Sequence, residues 1–97
     1  MFNKLKQFQD LRKQAKQLKS SMSEETITGE ALGGEVKIIM DGNQEIKNVE
    51  IDESLLSVEN KERLEKGIME AFASAVKGLQ SLMMKKMQSG DIQLPNM

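Results

Sequence analysis

The chain contains neither histidine nor cysteine. Without cysteine there is no disulfide framework, no thiolate nucleophile and no sulfur metal site. Without histidine the commonest general base and the commonest metal ligand are missing as well. Tryptophan and tyrosine are absent, and the aromatics reduce to Phe2, Phe8 and Phe72. No apolar run is long enough to span a bilayer, and the opening "MFNKLKQF" lacks the apolar core of a signal peptide. A cytoplasmic location without a membrane partner is therefore expected. Ninety-seven residues, 38% of them hydrophobic, make one small domain with a modest core. Chains of this size often complete their core against a second chain.

What is present is uneven charge. The formal net charge is only −1, from 14 basic and 15 acidic residues. Yet residues 1–22 hold Lys4, Lys6, Arg12, Lys13, Lys16 and Lys19 against the single acid Asp10. The balancing acids lie mainly in residues 23–66. Asymmetry of this kind points to an anionic partner.

The periodicity divides the chain into four parts within a single domain over residues 1–97. Over residues 1–22, Phe8, Leu11, Ala15, Leu18 and Met22 recur at helical spacing, and Ser20, Ser21 and Ser23 mark the end. Over residues 25–52 the residues become β-branched and glycine punctuates them. Three strands are predicted at 25–32, 35–41 and 44–52, with turns at Gly33-Gly34 and around Asp41-Gly42-Asn43. With Gly42 and Asn43 central in the second turn, Ile39 faces Ile46 and Val36 faces Val49, which pairs apolar with apolar. That register puts Val36, Ile38, Val49 and Ile51 on one face and Ile39 and Ile46 on the other. A sheet apolar on both faces calls for cover on both sides, one of them from another subunit. Ser57 or Asn60 is expected to cap a final helix over 58–89. Its stripe is Leu64, Ile68, Phe72, Ala75, Val76, Leu79, Leu82 and Met83. The tail 90–97 carries Gly and Pro without a period and is expected to be mobile. The fold class is α+β in the order α-β-β-β-α, a three-stranded antiparallel sheet flanked by two long helices.

Catalytic signals are weak. Asp41, Glu45, Glu50, Asp52 and Glu53 fit solvated strand ends and turns better than an acid/base pair, which needs a cleft. "DGNQE" lacks the ligand spacing of a calcium loop. Gly33-Gly34 lies between strands and opens no helix, so a hairpin turn suits it better than a phosphate loop. No serine has a histidine partner. No enzyme activity, cofactor, metal or small-molecule substrate is expected. Met83, Met84 and Met87 fit adaptable helix or subunit packing, with a peptide groove as the sharper alternative.

The first helix carries the clearest signal. With Phe8 at heptad position a, Lys6 and Lys13 fall at f, Arg12 and Lys19 at e, and Lys16 at b. Gln7, Asp10, Gln14, Gln17 and Ser21 occupy the other flank. A charge run is ordinarily a solvated face, but solubilising helices mix signs through i,i+4 pairs, and this one has almost no acids to pair with. A basic stripe can follow a phosphate backbone. No interleaved aromatics are present for stacking single-stranded bases, and no base-reading helix motif is recognisable. Duplex binding with weak sequence preference follows. Lys6, Arg12, Lys13, Lys16 and Lys19 are the expected phosphate contacts, with Lys85 and Lys86 from the last helix. Ile39, Ile46, Leu11, Leu18 and Met83 are the expected dimer contacts. The alternative is a dimeric protein-interaction adaptor.

"TGEALGGEVKIIMDGNQEIKNVEIDESLL", the later "AFASAV" and the tail "GDIQLPNM", behind a Lys/Gln-rich helix, resemble the YbaB/EbfC family of bacterial nucleoid-associated proteins. The likeness covers essentially the whole chain. Its most specific parts are Thr28-Gly29-Glu30, Gly34-Glu35-Val36-Lys37, Val49-Glu50-Ile51-Asp52 and Leu55-Leu56, with Leu94-Pro95 near the end. Family members often have Pro where this chain has Glu53, which implies a looser turn here. The resemblance implies a tweezer-like homodimer, double-stranded DNA as partner and a place in the nucleoid. Recombination or replication proteins are the partners expected of the adaptor alternative. Val36, Ile38, Val49, Ile51, Leu55 and Leu56 read as fold or dimer residues, while Glu30 and Asp52 stand in the shared motifs without a derived role.

Overall fold

A computed structural model describes residues 2–90, with side chains from residue 4 onward. Its elements are α1 (Phe2–Ser23), β1 (Ile27–Ala31), β2 (Val36–Met40), β3 (Ile46–Ile51) and α2 (Lys61–Ser89). Short 3-10 turns lie at Leu32–Gly34, Glu53–Leu55 and Val58–Asn60. The order is the expected α-β-β-β-α. The three strands form one antiparallel sheet in the order β1-β2-β3. The expected tail beyond Gly90 lies outside the described residues.

The core is a single sandwich of α2 on β1 and β2. Val36, Ile38 and Met40 alternate inward along β2, as do Ile27 and Ala31 on β1. Small residues receive them on α2, where Gly67, Ala71 and Ala75 are the buried positions. Leu64, Leu79 and Leu82 pack around the rim. The predicted stripe holds at Leu64, Ala75, Leu79 and Leu82 and is corrected at two positions. Ile68 and Phe72 are 37% and 36% exposed, because α2 turns its small side chains toward the sheet. The reason is close approach. A Cβ on Gly29 of β1 would fall 2.0 Å from the Ala71 carbonyl oxygen and 2.4 Å from the Ala75 nitrogen. Helix and strand touch backbone to backbone, and bulky residues are displaced to the flanks.

The second hairpin also departs from the expected register. Val36 pairs with Ile51 and Ile38 with Val49, two residues from the pairing read in the sequence. A bulge between Ile39 and Met40 then sets Ile46 opposite Met40. Ile46 thus belongs with the helix-covered face and not with Ile39. The other face carries Thr28 beside Ile39 and Asn48, and Glu30 beside Lys37 and Glu50. It is mostly polar, so the expectation of two apolar faces does not hold. The physical cause is Asp41. Its Oδ1 accepts the N–H groups of Asn43 (2.8 Å) and Glu45 (3.0 Å), which opens a longer loop in place of a two-residue turn. Gln44 takes a positive φ of 64° within it.

The β1–β2 connection at Gly33-Gly34 is a turn, as expected, with Leu32, Gly33 and Gly34 all at positive φ. Asp52 and Glu30 gain roles. The Asp52 carboxylate accepts the Ser54 N–H and hydroxyl and so caps the turn at Glu53–Leu55. Glu30 pairs with Lys37 across the strands at 4.0 Å. Neither Ser57 nor Asn60 caps a helix through its side chain. Asn60 instead donates to the Ser54 carbonyl and the Ser57 hydroxyl.

Asp41 is nearly fully buried, at 2% exposure. The Glu45 N–H holds its carboxyl below the usual range. Burial opposes this, while the Asn43 N–H and the Lys47 ammonium, 3.7 Å from Oδ2, add to it. A folded-state value below the unfolded one makes the carboxylate a stabilising group above the unfolded range, ~3.9. That contribution disappears as the pH falls through the lowered folded value. Thermal melts from neutral pH to below about pH 4 should therefore show stability declining in the acid range. Asp41→Asn is expected to be less stable at neutral pH and to decline less on acidification. A variant declining as steeply as the parent would exclude Asp41 as a source.

Candidate nucleic-acid interface

α1 stands outside the core. Of its side chains from Lys4 onward, only Met22 is buried and only Leu18 half-buried. Ser20, Ser21 and Ser23 do close the helix, with the Ser23 hydroxyl donating to the Ser20 carbonyl at 2.6 Å. At about 1.5 Å per residue, 22 residues extend roughly 33 Å, and the molecule measures 66 × 23 × 19 Å overall. Its radius of gyration is 18.4 Å, against about 13 Å for a compact chain of this length.

The five predicted cations of α1 all lie on this exposed rod. Arg12, Lys13, Lys16 and Lys19, with Gln9 and Ala15, line one shallow open depression along it. Among the described residues none of the five makes an ion pair. Their charge is therefore available to a ligand. Leu5, Phe8 and Leu11 are 65%, 61% and 46% exposed, so the outer part of the apolar seam has no cover among the described residues. Lys85 is exposed on α2. Lys86 differs, because its ammonium lies 2.6 Å from the Glu25 carboxylate and its side chain is only 16% exposed. The structure thus brings Lys86 to the junction between α1 and β1. Among the expected dimer contacts, Ile39 and Met83 are half-buried and Ile46 is exposed.

The root of α1 is held by the loop between β2 and β3. The last carbonyls of a helix lack partners within it. Here the Met22 carbonyl accepts the N–H of Gly42 at 2.7 Å and that of Glu25 at 3.2 Å. The Lys19 carbonyl accepts the Asn43 amide at 2.9 Å. These residues were not found by sequence reasoning. Asp41-Gly42-Asn43 reads as turn chemistry alone, and nothing local shows that its donors serve a helix twenty-odd residues earlier.

The sequence model of the YbaB/EbfC DNA-binding family matches residues 1–91. The chain belongs to the YbaB/EbfC DNA-binding family. A nucleoid-associated protein of Rickettsia rickettsii (strain Sheila Smith) is 43% identical over 71 residues, 73% of this chain. One from Rickettsia akari (strain Hartford) is 44% identical over the same length. This chain spans 66% of the length of these relatives. An uncharacterized protein of Helicobacter pylori has a crystal structure that superposes with a TM-score of 0.73 at 26% identity. That match covers 92% of this chain and 95% of the other. The solved structure therefore shares the α-β-β-β-α architecture of this chain.

Proposed function

We propose that this chain is a non-catalytic, nucleoid-associated homodimer that holds duplex DNA through its phosphates, with weak sequence preference. The carrying observation is the exposed basic face of α1, whose five cations have no acidic partner among the described residues. Lys6, Arg12, Lys13, Lys16 and Lys19 contact phosphates, and Lys85 adds to them. Each neutralised phosphate releases condensed counterions, so log affinity falls with log salt by about 0.9 per contact. An anisotropy titration of purified protein on duplex DNA at two salt concentrations tests this. Affinity that ignores salt would return the chain to the alternative, an adaptor for recombination or replication proteins. The exposed Leu56 and Val58 speak for that second reading.

The homodimer follows from apolar surface without cover. Phe8 and Leu11 on α1, and Ile68, Met69 and Phe72 on α2, are exposed in the single chain. A second copy is the occupant that fits two long helices each presenting such a stripe. It also doubles the basic surface and sets two arms on one duplex, the tweezer-like arrangement. The charge asymmetry supports it, because the polar face with Glu30 and Glu50 keeps DNA off the sheet. Light scattering at micromolar concentration should give twice the 10.9 kDa chain mass. A monomer mass would remove the two-armed grip.

A further inference from the structure

We infer that Gly42, Asn43 and the Glu25–Lys86 ion pair are positioning residues for the basic arm, clamping the root of α1 so that the helix points in one direction. The inference rests on the proposed DNA reading for its purpose, though the clamp is a property of the free protein.

Three contacts converge on the root. The Gly42 N–H reaches the Met22 carbonyl at 2.7 Å, and the Asn43 amide reaches the Lys19 carbonyl at 2.9 Å. Met22 and Lys19 lie on neighbouring turns, so the two donors hold the axis at two points. Gly42 admits no side chain, since a Cβ there would fall 2.5 Å from the Met22 oxygen and 2.6 Å from its Cε. The fit is built from both sides, because Met22 is the one buried residue of α1 from Lys4 onward. The third contact comes from α2. Lys86 meets Glu25, two residues past the end of α1, at 2.6 Å with both side chains largely covered. Asp41 stands behind the clamp, as its carboxylate folds the loop that presents Gly42 and Asn43. Among the described side chains of the arm, from Lys4 to the root, none is buried. A rod with one attachment keeps a fixed direction only if that attachment resists bending. The loop and the ion pair supply that resistance from two different elements.

The experiment measures arm direction without DNA. The chain has no native cysteine, so Gln7→Cys on α1 and Asn48→Cys on β3, both at exposed positions, accept spin labels cleanly. Labelled chain is mixed with excess unlabelled chain, and the distance distribution is read by pulsed double-resonance spectroscopy. The parent should give one narrow distribution. Asn43→Ala should broaden it, and so should Lys86→Glu, which sets two acids face to face. Adding Glu25→Lys to Lys86→Glu should narrow it again, a rescue that a phosphate contact by Lys86 would not produce. A distribution equally narrow in every variant overturns the inference. DNA titration of the same proteins separates the two claims. Asn43→Ala should weaken binding roughly tenfold, about the worth of one or two phosphate contacts. Broadening with unchanged affinity overturns the positioning role in binding. Absence of salt-dependent binding by the parent overturns the DNA reading and leaves the clamp measurement standing.

Discussion

Gly29→Ala is expected to lower the melting temperature by roughly 12–24 °C, the shift that corresponds to about 3 kcal/mol in a domain of this size. The added methyl group has no room. It would sit 2.0 Å from the Ala71 carbonyl oxygen, 2.4 Å from the Ala75 nitrogen and 2.7 Å from the Ala75 Cβ. Two of the three obstacles are helix backbone, which cannot rotate aside as a side chain can. Either α2 lifts off β1 or the strand bows away from it. Both open the packing of Ile27, Val36 and Ile38, which belong to the core. Total stability for a small domain is about 5–15 kcal/mol, so the loss is a large share of it. Gly33→Ala is the control. A Cβ there meets nothing within 4 Å, and only its positive φ of 66° opposes the change. That conformation costs about 1–2 kcal/mol in a non-glycine residue. Thermal melts of both variants decide the matter. Equal losses would mean that helix and strand do not meet backbone to backbone.

Lys13→Glu with Lys16→Glu is expected to reduce duplex affinity on the order of a hundredfold at low salt and to lower the salt slope by about 1.8. Both positions lie on the exposed basic face of α1, in the depression shared with Arg12 and Lys19. The change removes two cations and places two acids where phosphates approach. Fold stability should hardly move, because both side chains are exposed. That separation is what makes the variant informative. Lys66→Glu supplies the comparison, an exposed change on α2 within the acidic stretch of the chain. It should reduce affinity only slightly. Binding that survives the double reversal at unchanged slope would place the DNA contact elsewhere on the molecule.

The helices were readable from the sequence because their signals are local. The 3,4 spacing of Phe8, Leu11, Ala15, Leu18 and Met22 lies within one segment, as does the charge run beside it. The strands were readable for the same reason, and their ends moved by only a residue or two. The register was not. It depends on a buried carboxylate, Asp41, accepting N–H groups two and four residues onward, and an aspartate in a turn carries no mark of its burial. The face of α2 was read by size, which favours Ile68 and Phe72. Ala75 of the predicted stripe is buried, but the structure chose the face by closeness, which adds Gly67 and Ala71, and the deciding partner, Gly29, lies on another element. Lys86 was grouped with the cations because pairing with Glu25 spans most of the chain. The candidate surface on α1 needed no long-range information, and the clamp beneath it needed nothing else.

The single attachment of α1 makes it a lever. With an arm of roughly 33 Å, a rotation of about 10° at the root carries the tip through about 6 Å. Successive phosphates on one strand of a duplex advance about 3.4 Å along the axis. A small error at Met22 is thus magnified at Lys6 to more than the spacing of the charges it is meant to meet, while Lys19, beside the pivot, scarcely moves. Sensitivity to loosening should rise along the helix from Lys19 to Lys6, so the outermost of the five cations depends most on a loop it never touches.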